Sequence, residues 1–392
     1  MKKPPQSPLL VAACALLLLT SGSCSDSGSN NAAPKIGHVF TIVLENEDFE
    51  TVFGPNSPAP YLANTLTSQG ALLPQFYGTG HFSLDNYVAM VSGQSPNNQT
   101  QSDCLTYTDF VSTGVAADDQ LIGSGCVYPS SVENIATQLE AAGLSWKAYM
   151  EDMGNDPARE SATCGHPPIG APDNTQKASV GDQYATRHNP FVYFHSIIDS
   201  PSCQTNVVNL DALSQDLKSV ATTPSYVFIT PNLCHDGHDS PCVDGEPGGL
   251  VSADQFLQTW VPQITSSPAF QQDGLLIITF DEAEIEVKLA NGQLTVGGDA
   301  SACCDEQPGP NSTGKVLGIQ STGPGIFGPG GGVTGEVLLS RFISPGTVSN
   351  VPYNHYSQLK SIEDLFGLAH LGYAAPESLQ GFGSDVFTNP NG

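Results

Sequence analysis

Positive charge is what this chain has least of. Of its 392 residues only 12 are Lys or Arg, against 39 Asp or Glu, and charged residues of both signs make up 13%. A formal net charge of −27 excludes binding of nucleic acid or an anionic membrane through bulk electrostatics. Long apolar runs are also missing: Leu9–Leu19 is eleven residues, too short to span a bilayer. No CxxC pair with a matching His or Cys pair occurs, so a zinc-finger reading is weak. No GxSxG elbow occurs, so an α/β-hydrolase reading is unsupported. There is no internal repeat and no composition shift sharp enough to mark a second folded domain.

The short apolar run follows Lys2 and Lys3 and precedes TSGSC, which predicts a secretory signal peptide over 1–23. Cys24 follows small residues, as at a bacterial lipoprotein cleavage site, although Ser21 stands where such sites usually carry Leu. Lipid anchoring at Cys24 is preferred to free secretion, with 24–34 as a flexible tether and 35–392 as the catalytic domain. Loss of the leader takes the net charge to −29. Eight cysteines remain, an even set that implies disulfides in an exported chain. Cys104–Cys126 and Cys234–Cys242 each close a short loop and are the preferred pairs. Cys303 and Cys304 are expected to bond two different partners.

Three short apolar runs end in chemically active residues: HVFTIVLEN (38–46), SYVFITPNLCHDGHD (225–239) and GLLIITFDE (274–282). Runs of this length suit strands buried on both faces of a parallel sheet. Helical patterns lie between them: PYLANTLTSQG; a helix after HFSLDNY ending near Gly93; SVENIATQLEAAG (131–143) capped by Ser130 or Ser131; DALSQDLKSV; SADQFLQTWVPQITSSP capped by Ser252; and SQLKSIEDLFGLAHLG (357–372). EVKLANGQLTV reads as a hairpin about Asn291-Gly292. Residues 95–131 read as an insertion or lid. The alternation predicts an α/β fold: a mainly parallel central sheet flanked by helices, with loop insertions. Ligands bind at the carboxyl ends of strands in such sheets, so Glu45, Asn46, Asn232, His235, Asp236, His238, Asp239, Asp281 and Glu282 are expected on one rim.

Glu45-Asn46 and Asp281-Glu282 offer oxygen ligands to a hard cation, or else cap the helices that follow. Adjacent buried carboxylates need a cation or an Arg, and Arg is scarce here. HDGHD suits metal or phosphate binding, though such clusters also occur in solvated loops. Alone, His188 and His195 read as packed histidines. Ser83 passes as a nucleophile only beside a base or cation, and spacing alone says little in a serine-rich chain.

Taken together, VLENEDFETVFG, GHFSLDNYVAMVSG, RHNPFVYF, ITPNLCHDGHD, IITFDE and NHYSQLKSIEDLFGL resemble the bacterial phosphoesterase family of acid phosphatases and phospholipases C. The core fold of that family is alkaline-phosphatase-like. The resemblance runs from about residue 38 to 370 and implies an exported phosphoric ester hydrolase with one divalent metal, Ca²⁺, Mg²⁺ or Mn²⁺. It implies Glu45, Asn46, Ser83, Asp281 and Glu282 as metal ligands, Ser83 also as nucleophile, and His188 and His238 in catalysis. It places His81, His235 and Asp239 against substrate; His81 and His355 belong to motifs that also suit structural roles. Where the compact branch commonly carries Pro, this chain has Phe82 and Asp85. The expected partner is a small phosphate ester or phospholipid head group, with no nucleic acid, and with membrane contact only through Cys24. A phosphomonoesterase is preferred to a phospholipase C or other phosphodiesterase, because no separate lipid-binding domain is present; a sulfatase is disfavoured because no CxPxR-type motif occurs. A lipid-anchored, non-catalytic binding protein is the reading from another class.

Overall fold

The three diagnostic runs form neighbouring strands at the centre of one sheet. The computed structural model describes residues 1–2, 34–290, 293–312 and 314–392. The expected leader, Cys24 and nearly all of the tether lie outside the described residues, as does the Asn291-Gly292 turn. The main-sheet strands are β1 (His38–Leu44), β2 (Ala71–Leu73), β3 (Trp146–Met150), β4 (Val207–Asn209), β5 (Tyr226–Thr230), β6 (Gly274–Phe280), β7 (Glu336–Ser340) and β8 (Thr347–Val348). Their order is β8-β2-β7-β6-β1-β5-β3-β4. The five strands from β6 to β4 are mutually parallel, whereas β7 runs antiparallel to β6 and to β2. The α/β class and the mainly parallel sheet are as expected.

All seven residues of β1 are buried, because both faces of the sheet are covered. The helices that matter for the site are α1 (Ser83–Ser92), α2 (Ile135–Ala141), α3 (Gly249–Thr265) and α4 (His355–Phe366). Val39, Val43, Phe228, Leu275 and Ile277 join Leu84 and Val88 of α1, Leu139 of α2 and Leu359 of α4 in one core. Phe40, Ile42, Leu44, Val227, Ile229 and Leu276 share the opposite core with Phe256, Leu257 and Val261 of α3. Each such side chain contributes about 1.5–3 kcal/mol when fully buried. No helix among the described residues is long and apolar enough to cross a membrane.

Several boundaries differ from expectation. α2 begins at Ile135, not near Ser131, because Asn134 makes the cap. Its side chain accepts from Thr137 N–H at 3.1 Å, and the Thr137 hydroxyl accepts from Asn134 N–H at 3.1 Å. Asn134→Ala should therefore lower stability by about 1 kcal/mol, read as a drop in Tm with unchanged activity. α3 starts at Gly249, so Ser252 lies inside its first turn, where its hydroxyl accepts from Gly248 N–H at 2.9 Å. α4 starts at His355, capped by Asn354, and stops at Phe366 because Gly367 turns left-handed at φ 66°. The 95–131 segment carries a hairpin, Val111–Val115 with Leu121–Ser124. The hairpin Ile285–Ala290 with Gln293–Gly298 forms as expected.

Cys104–Cys126 and Cys234–Cys242 are bonded, and Cys164 is bonded to Cys203. These pairs use six of the eight sulfurs, so Cys303 and Cys304 bond each other instead of two separate partners.

Candidate active site

β1 lies between β5 and β6, and this order brings the three acidic strand ends together. Backbone hydrogen bonds extend the pairing past the strands: Glu45 N–H donates to Asp236 O at 2.8 Å, Asp281 N–H to Leu44 O at 2.9 Å, and Glu47 N–H to Glu282 O at 3.1 Å. The HDGHD loop comes so close that a Cβ on Gly237 would lie 3.3 Å from Glu45 O, and Gly237 sits at φ 115°. Glycine meets both demands.

Ser83 reaches this rim from the first residue of α1. The preceding loop is wound around Asn86, whose side-chain oxygen accepts from Thr79 N–H at 2.8 Å and Gly80 N–H at 3.0 Å. Phe82 is held at φ 70°, a costly conformation for a bulky residue. Its N–H donates to Glu282 Oε2 at 3.1 Å, and Leu84 N–H donates to Asp103 Oδ1 at 3.1 Å. Two distant carboxylates thus accept from the start of α1, where the helix dipole favours negative charge. The Ser83 hydroxyl donates to Glu45 Oε2 at 2.6 Å, and Tyr87 OH donates to Glu45 Oε1 at 2.6 Å. His188 Nε2 lies 3.2 Å from Glu45 Oε2, its Nδ1 lies 3.7 Å from Asp236 Oδ2, and its ring stacks on Tyr87.

Negative charge is crowded here. Burial is the main force raising Glu45, Asp236, Asp281 and Glu282 above the usual carboxylate range. The charge of Glu45 adds to it at Asp236 and Asp281 and that of Asp281 at Glu282, whereas at Glu45 the hydrogen bonds with Asp281, Ser83 and Tyr87 oppose it. Burial, then the Arg187 charge, holds His188 far below its ordinary value, so it is neutral. His238 differs: its bond to Asp239 outweighs burial and, with Asp236 and Glu45, lifts it to about 9. Its side chain is 52% exposed, so it presents a cation at the mouth.

The residues fit a hard divalent cation. Asp281 Oδ2 is buried with no hydrogen-bond partner among the described residues, while its Oδ1 accepts from Asn46 N–H at 2.9 Å and Glu282 N–H at 2.7 Å. Glu45, Asn46, Asp281 and Ser83 lie together as oxygen donors, and Arg187 is the cation beside them. The two Cys-containing clusters near Cys234 are not alternatives, because their sulfurs are in a disulfide.

The remaining expected residues are dispersed. Glu282 turns toward His81 Nδ1, whose Nε2 lies 2.9 Å from Asp299 O; burial brings His81 down to about 4. His355 Nε2 lies 2.5 Å from the Asp281 carbonyl and braces it. His235 stands apart from Ser83's partners, with Nδ1 2.9 Å from Glu151 and Nε2 3.4 Å from Glu246. Asn232 serves its own turn, its side-chain oxygen accepting from the Cys234 and His235 N–H groups at 3.0 Å. Sequence reasoning missed Tyr87, Asp103 and Arg187. Arg187 is 9% exposed, with Nε 3.8 Å from Asp103 Oδ2; burial opposes its charge, but Asp103, Glu45 and Asp236 outweigh that. Its signal was its rarity, since it is one of three arginines and adjoins His188.

A model of the Phosphoesterase family matches residues 55–369. A probable acid phosphatase of Kluyveromyces lactis is 27% identical over 337 residues, covering 85% of this chain and 59% of that protein. A phosphate-repressible acid phosphatase of Penicillium chrysogenum is 28% identical over 245 residues, covering 62% and 47%. The chain thus spans about half the length of these fungal relatives. A phosphatidylinositol-3-phosphatase of Mycobacterium tuberculosis is 23% identical over 365 residues, covering 93% and 88%. Among solved structures, an alkaline phosphatase superfamily protein from Vibrio parahaemolyticus shares the fold at TM-score 0.51 and 11% identity, covering 91% of this chain and 73% of that one.

Proposed function

Because this chain belongs to the Phosphoesterase family, we propose that it is a metal-dependent phosphomonoester hydrolase with Ser83 as nucleophile. The observation that carries the reading is the 2.6 Å bond from the Ser83 hydroxyl to Glu45, beside the unpartnered Asp281 Oδ2. Glu45, Asn46, Asp281 and Ser83 would hold the cation, which when bound lowers the serine pKa and offsets charge on the phosphoryl oxygens. Ser83 Oγ forms a bond to phosphorus as its proton leaves toward Glu45 Oε2. The bond to the leaving oxygen breaks on the opposite side, and that oxygen takes a proton from His238, which is exposed and cationic at neutral pH. Buried, neutral His188 stands between Glu45 and Asp236, stacked on Tyr87, and Arg187 favours an anionic substrate. Water then cleaves the phosphoserine, regenerating Ser83 and releasing phosphate.

Relatives named as phosphatases favour monoesters over diesters. Export, with a lipid anchor at Cys24, remains part of the same reading. Hydrolysis of p-nitrophenyl phosphate and p-nitrophenyl phosphorylcholine, each with and without chelator, tests it. Chelator-sensitive cleavage of the first in clear preference to the second is expected. Preference for the second would point to a diesterase, and no cleavage of either with metal supplied would point to a binding protein.

A further inference from the structure

The turn that presents Ser83 is strained, and its support comes from outside α1. Phe82 lies between His81 and Ser83 and sits at φ 70°, which a bulky residue adopts only when its surroundings hold it there. Asn86 Nδ2 donates to Phe82 O at 3.2 Å, which ties the carbonyl side of this residue to the helix. The N–H side depends on a residue far away in the chain. Glu282, just beyond β6, accepts the Phe82 N–H at Oε2 at 3.1 Å.

Glu282 is held in turn by His81, whose Nδ1 meets the same Oε2. His81 Nε2 lies 2.9 Å from Asp299 O; a carbonyl only accepts, so Nε2 carries a hydrogen and donates it. The contact on the other side of the ring then needs one proton between Nδ1 and Oε2. Phe327 stacks on the imidazole at 5.2 Å between centroids and 15° between planes, and His81 N–H donates to Pro324 O at 3.2 Å. Asp299 is itself fixed, with Oδ1 accepting from Ser301 N–H and Oδ2 from Val333 N–H, both at 2.9 Å. His81 is 0% exposed and Glu282 1%, so the pair is closed in by protein.

We propose that His81 and Glu282 are positioning residues that act as one unit: anchored on Asp299 and Phe327, they hold Phe82 in its strained conformation and so aim the Ser83 hydroxyl at Glu45. This role rests on Ser83 as the nucleophile and needs no contact of either residue with substrate. The links run in series from Asp299 through His81 and Glu282 to Phe82. Breaking the chain at one link therefore leaves little for a second break to remove.

The test is a double-mutant cycle on p-nitrophenyl phosphate hydrolysis by the full chain at saturating divalent cation. His81→Phe keeps an aromatic ring against Phe327 but loses both bonds; it should lower kcat about tenfold or more, with KM changed less than about threefold. In a Glu282→Ala background the same substitution should change kcat less than about threefold. Glu282→Gln takes that place if near-UV circular dichroism shows Glu282→Ala unfolded. His81→Asn, whose amide reaches the place of Nδ1, should recover part of the lost kcat. Apart from turnover, the imidazole ¹⁵N resonances missing from His81→Phe should report the Nε2–H tautomer and shift in the Glu282 variant. Additive losses, a rise in KM alone, unmoved resonances, or a better rate in His81→Phe than in His81→Asn would overturn the proposal. Failure of the nucleophile reading looks different: Ser83→Ala would keep its rate, and the positioning role would fall with it. Failure of the pair alone leaves Ser83→Ala inactive while the His81 and Glu282 substitutions act independently.

Discussion

Ser83→Ala is expected to lower turnover by roughly 10⁴-fold or more while leaving the fold and substrate binding in place. On the proposed reading the substitution removes the group that attacks phosphorus. It costs the structure little, because Glu45 keeps its bonds from Tyr87 OH at 2.6 Å and Asn46 Nδ2 at 3.1 Å. Burst kinetics and acid-trapped phosphoprotein check the covalent step: the unsubstituted chain should incorporate phosphate and Ser83→Ala should not. Retention of activity within tenfold would rule Ser83 out as nucleophile. Arg187 and the HDGHD loop would then have to orient water as the attacking group.

A large effect is also expected from pH on the metal-free chain. Burial, with nearby acids adding to it, lifts Glu47 to about 8, and burial lifts Glu363 to about 9. Asp85, Asp236, Asp281, Glu282, Glu306 and Glu336 move the same way, all chiefly through burial. Each such acid holds its proton in the folded chain after the unfolded chain has released it, near 3.8 for Asp and 4.5 for Glu. Folded protein therefore binds more protons above those values, and stability falls as pH rises through the folded values. His238 and His235, both raised to about 9, act in the same direction from about 6.5 upward.

On the acid side, His81 and His355 are lowered to about 4 by burial, so they cost stability as pH falls below about 6.5. Asp239 and Asp299, both lowered from 3.8, add a further loss only below that pH. Tm in chelator should peak in mild acid, about pH 5–6, and decline steadily toward pH 9. A divalent cation at about a hundred times its Kd should restore about 2.7 kcal/mol on the alkaline limb. Glu363→Gln, remote from the rim, should flatten part of the decline. A Tm in chelator that stays level or rises from pH 6 to pH 9 would contradict this account.

How much was legible beforehand differs by element. The apolar runs ending at Leu44, Thr230 and Phe280 could be identified as strands because a strand covered on both faces leaves a near-continuous apolar signature. Glu45, Asp281 and the HDGHD loop could be grouped because residues after parallel strands share one edge. The cap at Asn134 was missed because Ser130, Ser131 and Asn134 are all competent caps, and only the reciprocal bond with Thr137 selects one.

The vicinal Cys303–Cys304 bond was missed because connectivity depends on which sulfurs are already consumed. His235 belongs to the HDGHD motif, yet its ring turns to Glu151 and Glu246, since neighbours within a tight turn point in different directions.

By itself the sequence determined the α/β class, the buried strands and the acidic chemistry at their ends, because burial and strand polarity are written in local residue patterns. Only the tertiary structure decided which of those acids meet. It set β1 between β5 and β6, delivered Ser83 to Glu45 through the Asn86-wrapped loop, and brought in Arg187 and Asp103 from segments without periodicity. Those meetings depend on strand order and helix packing, which are properties of the whole chain and leave no mark at any one position.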